Sequence, residues 1–164
     1  MNLLVLFMSI GKDRYVNIVN STIYKRYDIN STPSNRIWTG MTERDAFFHE
    51  ARVLLHIEQI KSQCNYSHQI GRLLNINTNT HTIVTEKLGK PIVHFNKSKF
   101  FDDIVHIRNF FDCVGVTHCD TKPKNFGMVK KSMYIFDMDM SYITVTSKPP
   151  KMMCSCTLHK PCLK

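Results

Sequence analysis

The chain has 164 residues, of which 43% are hydrophobic. This length and composition predict one folded domain with its own core and exclude a disordered chain. Lysine and arginine number 22 against 13 aspartate and glutamate residues, which gives a formal net charge of +9. The positive charge favours phosphate-rich or acidic partners, with nucleic acid among them, but does not select one.

The first quarter of the chain is predicted to form three strands and a loop. The apolar run at the N-terminus is too short to cross a bilayer and lacks the basic segment and cleavage site of a secretory signal. We therefore interpret it as a strand. Aromatic and β-branched residues predict two further strands, and Pro, Ser and Asn predict the loop. The expected ranges are Leu3–Ile10, Tyr15–Val19 and Thr22–Tyr27 for the strands and Asn30–Gly40 for the loop.

A helix is predicted to begin after Thr42, because this N-cap residue is followed three positions later by Asp45. The apolar side chains of its core-facing stripe are Phe47, Ala51, Leu54 and Leu55. Glu50 falls in the same stripe, and a buried carboxylate needs a partner. Lys25 in the third strand is the natural candidate. The alternative is that Glu50 reaches solvent at the edge of the stripe.

Further along, the pattern predicts a hairpin of Arg72–Ile76 and Thr82–Glu86, and then a polar connector over Glu86–Pro91. A second helix is expected from Phe100, with Gly115 as the residue that ends it. The apolar residues on one face of this helix are Phe100, Ile104, Ile107, Phe111 and Val114. An aromatic stripe of this kind indicates core packing.

The stretch from His118 to Asp139 has the layout of a phosphotransfer site. It reads as a loop, a strand, a Lys-Lys-Ser turn, a second strand and a carboxylate. Phosphoryl transfer needs a carboxylate beside the attacking hydroxyl and hard oxygen ligands for Mg²⁺. Asp120 suits the first, catalytic role, and Lys122 would face the transferred phosphoryl group. Asn125 and Asp137 suit the metal.

Two residues of this stretch leave alternatives open. Asp139 would add a second carboxylate to the metal site or cap the segment that follows. His118 is expected to brace the backbone of the loop rather than to transfer protons. The whole run would also suit a basic surface turn, since Pro, Asn and Asp are common turn residues.

From His118 the letters HCDTKPKN resemble the catalytic loop of protein kinases, H-R-D-x-K-P-x-N. Asp137 falls where the metal-binding aspartate of the kinase D-F-G motif would fall. Lys25 resembles the lysine of the third kinase strand, and the segment around Glu50 resembles the kinase C-helix. In kinases such a pair holds the lysine against the nucleotide phosphates.

The chain is more closely similar to the divergent protein kinase domain family, which comprises cysteine-rich proteins of the secretory pathway related to the deleted-in-autism protein. The shared features are Cys119-Asp120, Asn125-Phe126, the Asp137-x-Asp139 pair in place of D-F-G, and a downstream cysteine-rich stretch. The resemblance covers roughly residues 15–142. The catalytic loop carries most of its specificity.

The resemblance implies an α+β, protein-kinase-like fold, with an antiparallel N-lobe sheet, one helix and a truncated C-lobe. The domain would span residues 1–142, with the N-lobe at about 1–86, a partial C-lobe at about 91–142 and a basic cysteine-rich tail at 143–164. It further implies a phosphotransferase that uses ATP and Mg²⁺ on a hydroxyl acceptor. A secretory-pathway location is implied as well, although the chain shows neither a transmembrane helix nor a full signal peptide. For the apolar N-terminal run, a truncated signal or anchor is the alternative to a first strand.

Two other functions fit parts of the sequence. Gly11 stands alone where a phosphate-cradling loop has several glycines, and only 25 residues follow Asp139, so a pseudokinase that binds or scaffolds without transfer is one alternative. A basic nucleic-acid-binding protein with a zinc-binding tail is the other, although no aromatic platform accompanies the basic residues. The possible zinc ligands are Cys154, Cys156, His159 and Cys162. Disulfides and a free tail are the competing states of these cysteines, and six cysteines allow fifteen pairings.

Overall fold

The computed structural model of the protein describes residues 6–9, 14–30, 42–65, 70–87, 89–92, 98, 100–122, 125–129 and 132–144. The α-helices within these residues are α1 (Glu43–Ile60) and α2 (Phe101–Val114). The strands of the first half are β1 (Leu6–Ser9), β2 (Arg14–Val19), β3 (Thr22–Tyr27), β4 (Leu73–Asn77) and β5 (Thr82–Glu86). The later strands are β6 (Lys90–Pro91), β7 (Val116–His118), β8 (Phe126–Val129), β9 (Ser132–Ile135) and β10 (Ser141–Ile143).

The first five strands form one antiparallel sheet in the order β1-β2-β3-β5-β4. Strands β3 and β5 have the predicted bounds, and the predicted β4 is shifted by one residue. The register places Val16 of β2 and Ile83 of β5 directly opposite Lys25. Directly paired residues share one face of a sheet, so Lys25 rises from a face lined with buried aliphatic side chains.

Helix α1 begins as the sequence predicts. The hydroxyl of Thr42 accepts from the backbone N–H of Asp45 at 3.1 Å, and the Asp45 carboxylate accepts from the N–H of Thr42 at 3.1 Å. These two bonds form a capping box. The pKa of Asp45 is lowered by the hydrogen bonds that its carboxylate accepts from the Thr42 hydroxyl, at 2.7 Å, and from the Thr42 N–H.

The predicted core stripe of α1 is correct for three of its four residues. The prediction that Leu55 faces the core is wrong, because its side chain is 47% exposed. The buried face of α1 includes Val53 and Ile57 instead, so Leu55 lies outside it. Glu50 lies within this face.

Three residues attach α1 and the turn after it to elements from the second half of the chain. His49 Nε2 donates to the carbonyl oxygen of Ser141 at 2.6 Å, and His56 Nε2 donates to that of Val114 at 2.7 Å. Cys64 forms a disulfide with Cys113 of α2. His49, His56 and Cys64 are called the α1 anchors below.

Helix α2 ends at Gly115, whose φ of 65° is left-handed, as the sequence predicts. Its buried face carries Ile107, Phe110, Phe111 and Val114. Beyond it, β7 pairs with β10, and β8 pairs with both β6 and β9. A single apolar cluster extends from Tyr27 and Phe47 through α2 to Ile143.

Neither described helix is both long and apolar enough to cross a membrane. Several predictions lie outside the described residues, namely those for Gly11, for the loop at 31–40 and for the cysteine-rich tail from residue 145 onward. The division of the domain into two lobes stays a prediction.

The disulfide between Cys64 and Cys113 should stabilise the fold substantially. It closes a loop with a sequence separation of 49, and the chain-entropy model assigns such a cross-link about 4 kcal/mol. We expect the Cys64→Ser/Cys113→Ser double variant to lose between about 2 and 4 kcal/mol of unfolding free energy in urea denaturation.

Each single serine variant should lose nearly as much as the double variant, since either one removes the whole cross-link. Losses that add up across the two positions, or a double variant as stable as the parent, would contradict a bonded pair.

Candidate functional site

The loop that carries Asp120 is held by His118, the last residue of β7. The N–H of Asp120 donates to His118 Nδ1 at 3.2 Å, and His118 Nε2 donates to the carbonyl oxygen of Asp137 at 3.1 Å. One ring nitrogen accepts while the other donates, so the imidazole is neutral. Burial favours this form, because desolvation lowers the pKa of His118. The prediction that His118 braces the loop backbone is confirmed.

Asp120 is buried and held from two sides. Asn125 Nδ2 donates to the carboxylate oxygen Oδ2 of Asp120 at 2.9 Å and to its backbone oxygen at 2.8 Å. Lys122 Nζ lies 2.9 Å from Asp120 Oδ1. Since the amide nitrogen of Asn125 donates to Asp120, its amide oxygen is the atom of the amide that can accept or coordinate. Asp120, Lys122 and Asn125 thus form one cluster.

The β8–β9 hairpin brings Asn125 and Asp137 together. Asn125 directly precedes β8, and Asp137 follows two residues after β9. The backbone N–H of Phe136 donates to the carbonyl oxygen of Asn125 at 3.0 Å. Asp137 adopts φ 68° and ψ 75°, a left-handed conformation that non-glycine residues rarely adopt outside strained or functional positions.

Lys25 joins the sheet, α1 and this hairpin. Its Nζ lies 2.7 Å from Glu50 Oε2 and 2.6 Å from Asp137 Oδ1. Burial acts to lower the pKa of Lys25, but the charges of Asp137 and Glu50 outweigh it and raise the pKa well above its usual value. The structure contains the expected pair of Lys25 and Glu50. Glu50 is 4% exposed, so the alternative in which it reaches solvent is wrong.

Sequence reasoning missed Tyr27 as a member of this cluster. Its hydroxyl donates to Glu50 Oε2, and Lys25 Nζ lies 5.6 Å from the centroid of its ring. The signal was present in the strand period, since residues two apart on β3 point to the same face.

Among the described residues, no group of three or more His, Cys, Asp and Glu side chains is arranged to hold a metal ion. The amide oxygen of Asn125 and the carboxylate of Asp137 nevertheless fit Mg²⁺, which takes one or two protein oxygens and completes its shell with phosphate and water. Asp139 lies in the short helical turn after Asp137 and adds to the negative charge around Lys25. Its role as a third ligand, like the other assigned roles, stays a prediction.

No protein-family model matches the chain, and no curated protein matches it. Solved structures do. A crystal structure of WbdD matches with a TM-score of 0.61 at 14% identity, over 85% of this chain and 33% of WbdD. Another structure, of the bifunctional kinase-methyltransferase WbdD, matches with a TM-score of 0.55.

The kinase domain of PF14_0431 matches with a TM-score of 0.57 at 12% identity, over 89% of this chain and 53% of that one. The chain therefore spans between 30% and 53% of these solved chains. At such low identity the likeness concerns the fold alone. Together with the antiparallel sheet and the two helices, it shows that the chain has a protein-kinase-like fold.

Proposed function

We propose that the protein is a kinase-like phosphotransferase that uses ATP and Mg²⁺ to phosphorylate a hydroxyl acceptor. The observation that carries the proposal is the position of Lys25, whose ammonium group binds Glu50 and Asp137 at once. A lysine held in this way presents a fixed positive charge beside a carboxylate suited to Mg²⁺. Phosphoryl transfer depends on this combination, because its catalysis is mostly positioning and charge stabilisation.

The binding roles follow from the donor chemistry. Lys25, oriented by Glu50, would bind the nucleotide phosphates, and the oxygens of Asn125 and Asp137 would hold Mg²⁺, with Asp139 as the additional carboxylate. When bound, the metal ion neutralises charge on the phosphates. The hydrogen bond from the Phe136 N–H to the Asn125 carbonyl oxygen joins the backbone next to these two residues, which supports their assignment as a pair of ligands.

The catalytic roles fall to the second cluster. Asp120 would accept the proton of the acceptor hydroxyl, and Lys122, whose Nζ contacts Asp120 Oδ1, would stabilise the transferred phosphoryl group. Asn125 holds the Asp120 carboxylate in place through its Nδ2 bond. His118 holds the backbone at Asp120 and at Asp137 and would take no proton itself.

The related solved structures support this function by analogy only. WbdD is described as a bifunctional kinase-methyltransferase, and one of its structures contains the kinase inhibitor LY294002. Membership of the divergent protein kinase domain family is part of the proposal, and so is a location in the secretory pathway. The disulfide of Cys64 and Cys113 supports that location, because disulfides persist in oxidising compartments.

Nucleotide binding should stabilise the protein in a Mg²⁺-dependent way. At ATP concentrations a hundredfold above Kd, we expect about 2.7 kcal/mol of stabilisation, measured as a thermal shift with and without Mg²⁺. The Asp137→Asn variant should lose the Mg²⁺-dependent part, because the amide lacks the negative charge that binds the cation.

Asp112→Asn is the matched control, since Asp112 is an exposed carboxylate on α2. It should keep the full shift. A folded parent protein that shows no shift with Mg²⁺ and ATP would contradict the proposed function.

Phosphate transfer should depend on Asp120 while nucleotide binding should not. We expect Asp120→Asn to reduce turnover by at least about a hundredfold, the contribution of a general base, and to keep the Mg²⁺–ATP thermal shift. ADP release can be measured with peptides that contain Ser, Thr or Tyr and with simple sugars as acceptors. Turnover that is equal in the parent and in Asp120→Asn would exclude the assigned role.

A further inference from the structure

Tyr27 contacts the ion pair of Lys25 and Glu50. The phenol hydroxyl donates to Glu50 Oε2, which is the same oxygen that lies 2.7 Å from Lys25 Nζ. The tyrosine ring also lies under the ammonium group, with 5.6 Å between Nζ and the ring centroid. One side chain therefore contacts both members of the pair, through its hydroxyl and through its ring.

The position of Tyr27 is itself rigid. The side chain is only 2% exposed, and its backbone N–H donates to the carbonyl oxygen of His81 at 3.0 Å. Its ring packs edge to face against Phe47 of α1, with 5.7 Å between the ring centroids. Tyr27 is thus held by β3, by the β4–β5 turn and by α1.

A carboxylate on a long side chain needs more than one partner to stay in one rotamer. Lys25 alone does not provide this, because its own four-carbon side chain is flexible and Asp137 competes for the ammonium group. A second donor on Oε2 restricts the carboxylate, and the negative face of the ring restricts the ammonium group. Both restrictions come from Tyr27.

We propose that Tyr27 is a positioning residue that holds Glu50 and Lys25 in the geometry needed to bind nucleotide phosphates. This inference rests on the proposed function for its catalytic meaning, but the geometry it describes exists without nucleotide. The hydroxyl fixes Glu50, Glu50 fixes Lys25, and the ring keeps the ammonium group over the sheet. Tyr27 itself touches no reacting atom.

The test measures the reactivity of Lys25 in the nucleotide-free protein. A short pulse of the amine-acylating reagent sulfo-N-hydroxysuccinimide acetate is followed by peptide mass spectrometry. We expect Tyr27→Phe to raise the acylation rate of Lys25 about tenfold, since a hydrogen bond to a charged group is worth at least one factor of ten in an equilibrium. In a Glu50→Gln background the same substitution should add less than about twofold, because both changes break one network.

Two controls separate positioning from general stability. Tyr134→Phe removes the hydroxyl of another buried tyrosine and should leave the Lys25 rate unchanged. Lys61, paired with Glu58 at 2.6 Å just past the end of α1, reports in the same digest on loosening of the fold away from Tyr27. Three results would each overturn the proposal. The first is an unchanged Lys25 rate in Tyr27→Phe, and the second is a pair of independent effects of Tyr27→Phe and Glu50→Gln that multiply in the double variant. The third is an equal rise in the rate at Lys61.

A second variant covers a Tyr27→Phe protein that fails to fold. With 3-fluorotyrosine at position 27, the ¹⁹F resonance should shift in the Glu50→Gln variant, because the acceptor of the phenol hydroxyl changes, and should stay in place in the Asp112→Asn control. An unmoved resonance in Glu50→Gln overturns the proposal. The labelling is done without nucleotide, so it is independent of the proposed function. If the labelling pattern is as expected but Mg²⁺–ATP gives no thermal shift, the proposed function is refuted and the positioning role of Tyr27 is retained.

Discussion

The structure depends on the need to neutralise one ammonium group inside a protein. A buried cation without partners costs several kcal/mol, and Lys25 lies on a sheet face between aliphatic side chains. Its partners come from α1 and from the end of the β8–β9 hairpin, which lies 112 residues further along the chain. The fold is therefore tied to the site: elements that supply the two carboxylates must pack against the sheet for the lysine to be tolerated there.

The contacts of Asp137 with Lys25 and His118 also maintain its left-handed backbone conformation. A left-handed aspartate costs free energy, and such conformations persist only where the surroundings over-determine them. Here the carbonyl oxygen of Asp137 accepts from His118, and its carboxylate binds Lys25. The buried neutral imidazole links this turn to the Asp120 loop. His118 and the bond between Phe136 and Asn125 thus connect the two halves of the site.

Much of the fold could be predicted from the sequence because its signals are local. Each of these signals determines the boundary of a nearby helix or strand: the Thr42 cap, the period-2 pattern of β3 and β5, and the glycine after α2. The candidate site loop could be proposed because its residue types and spacing resemble those of the kinase catalytic loop. The disulfide partners could not be predicted, since pairing depends on spatial proximity. The histidine bonds to backbone oxygens were also missed, because every residue offers such an acceptor. Leu55 failed because periodicity locates a face but not its edges.

The α1 anchors have a consequence for ligand binding. His49 and His56 are about 10 Å apart along the helix, and Cys64 extends the attachment past its end. A helix held at several points along its length cannot rotate about its axis unless these bonds break together. Glu50 follows His49 directly, so its orientation is established when the chain folds. The entropy cost of ordering the helix is thus met during folding, so the proposed nucleotide would not have to meet it on binding.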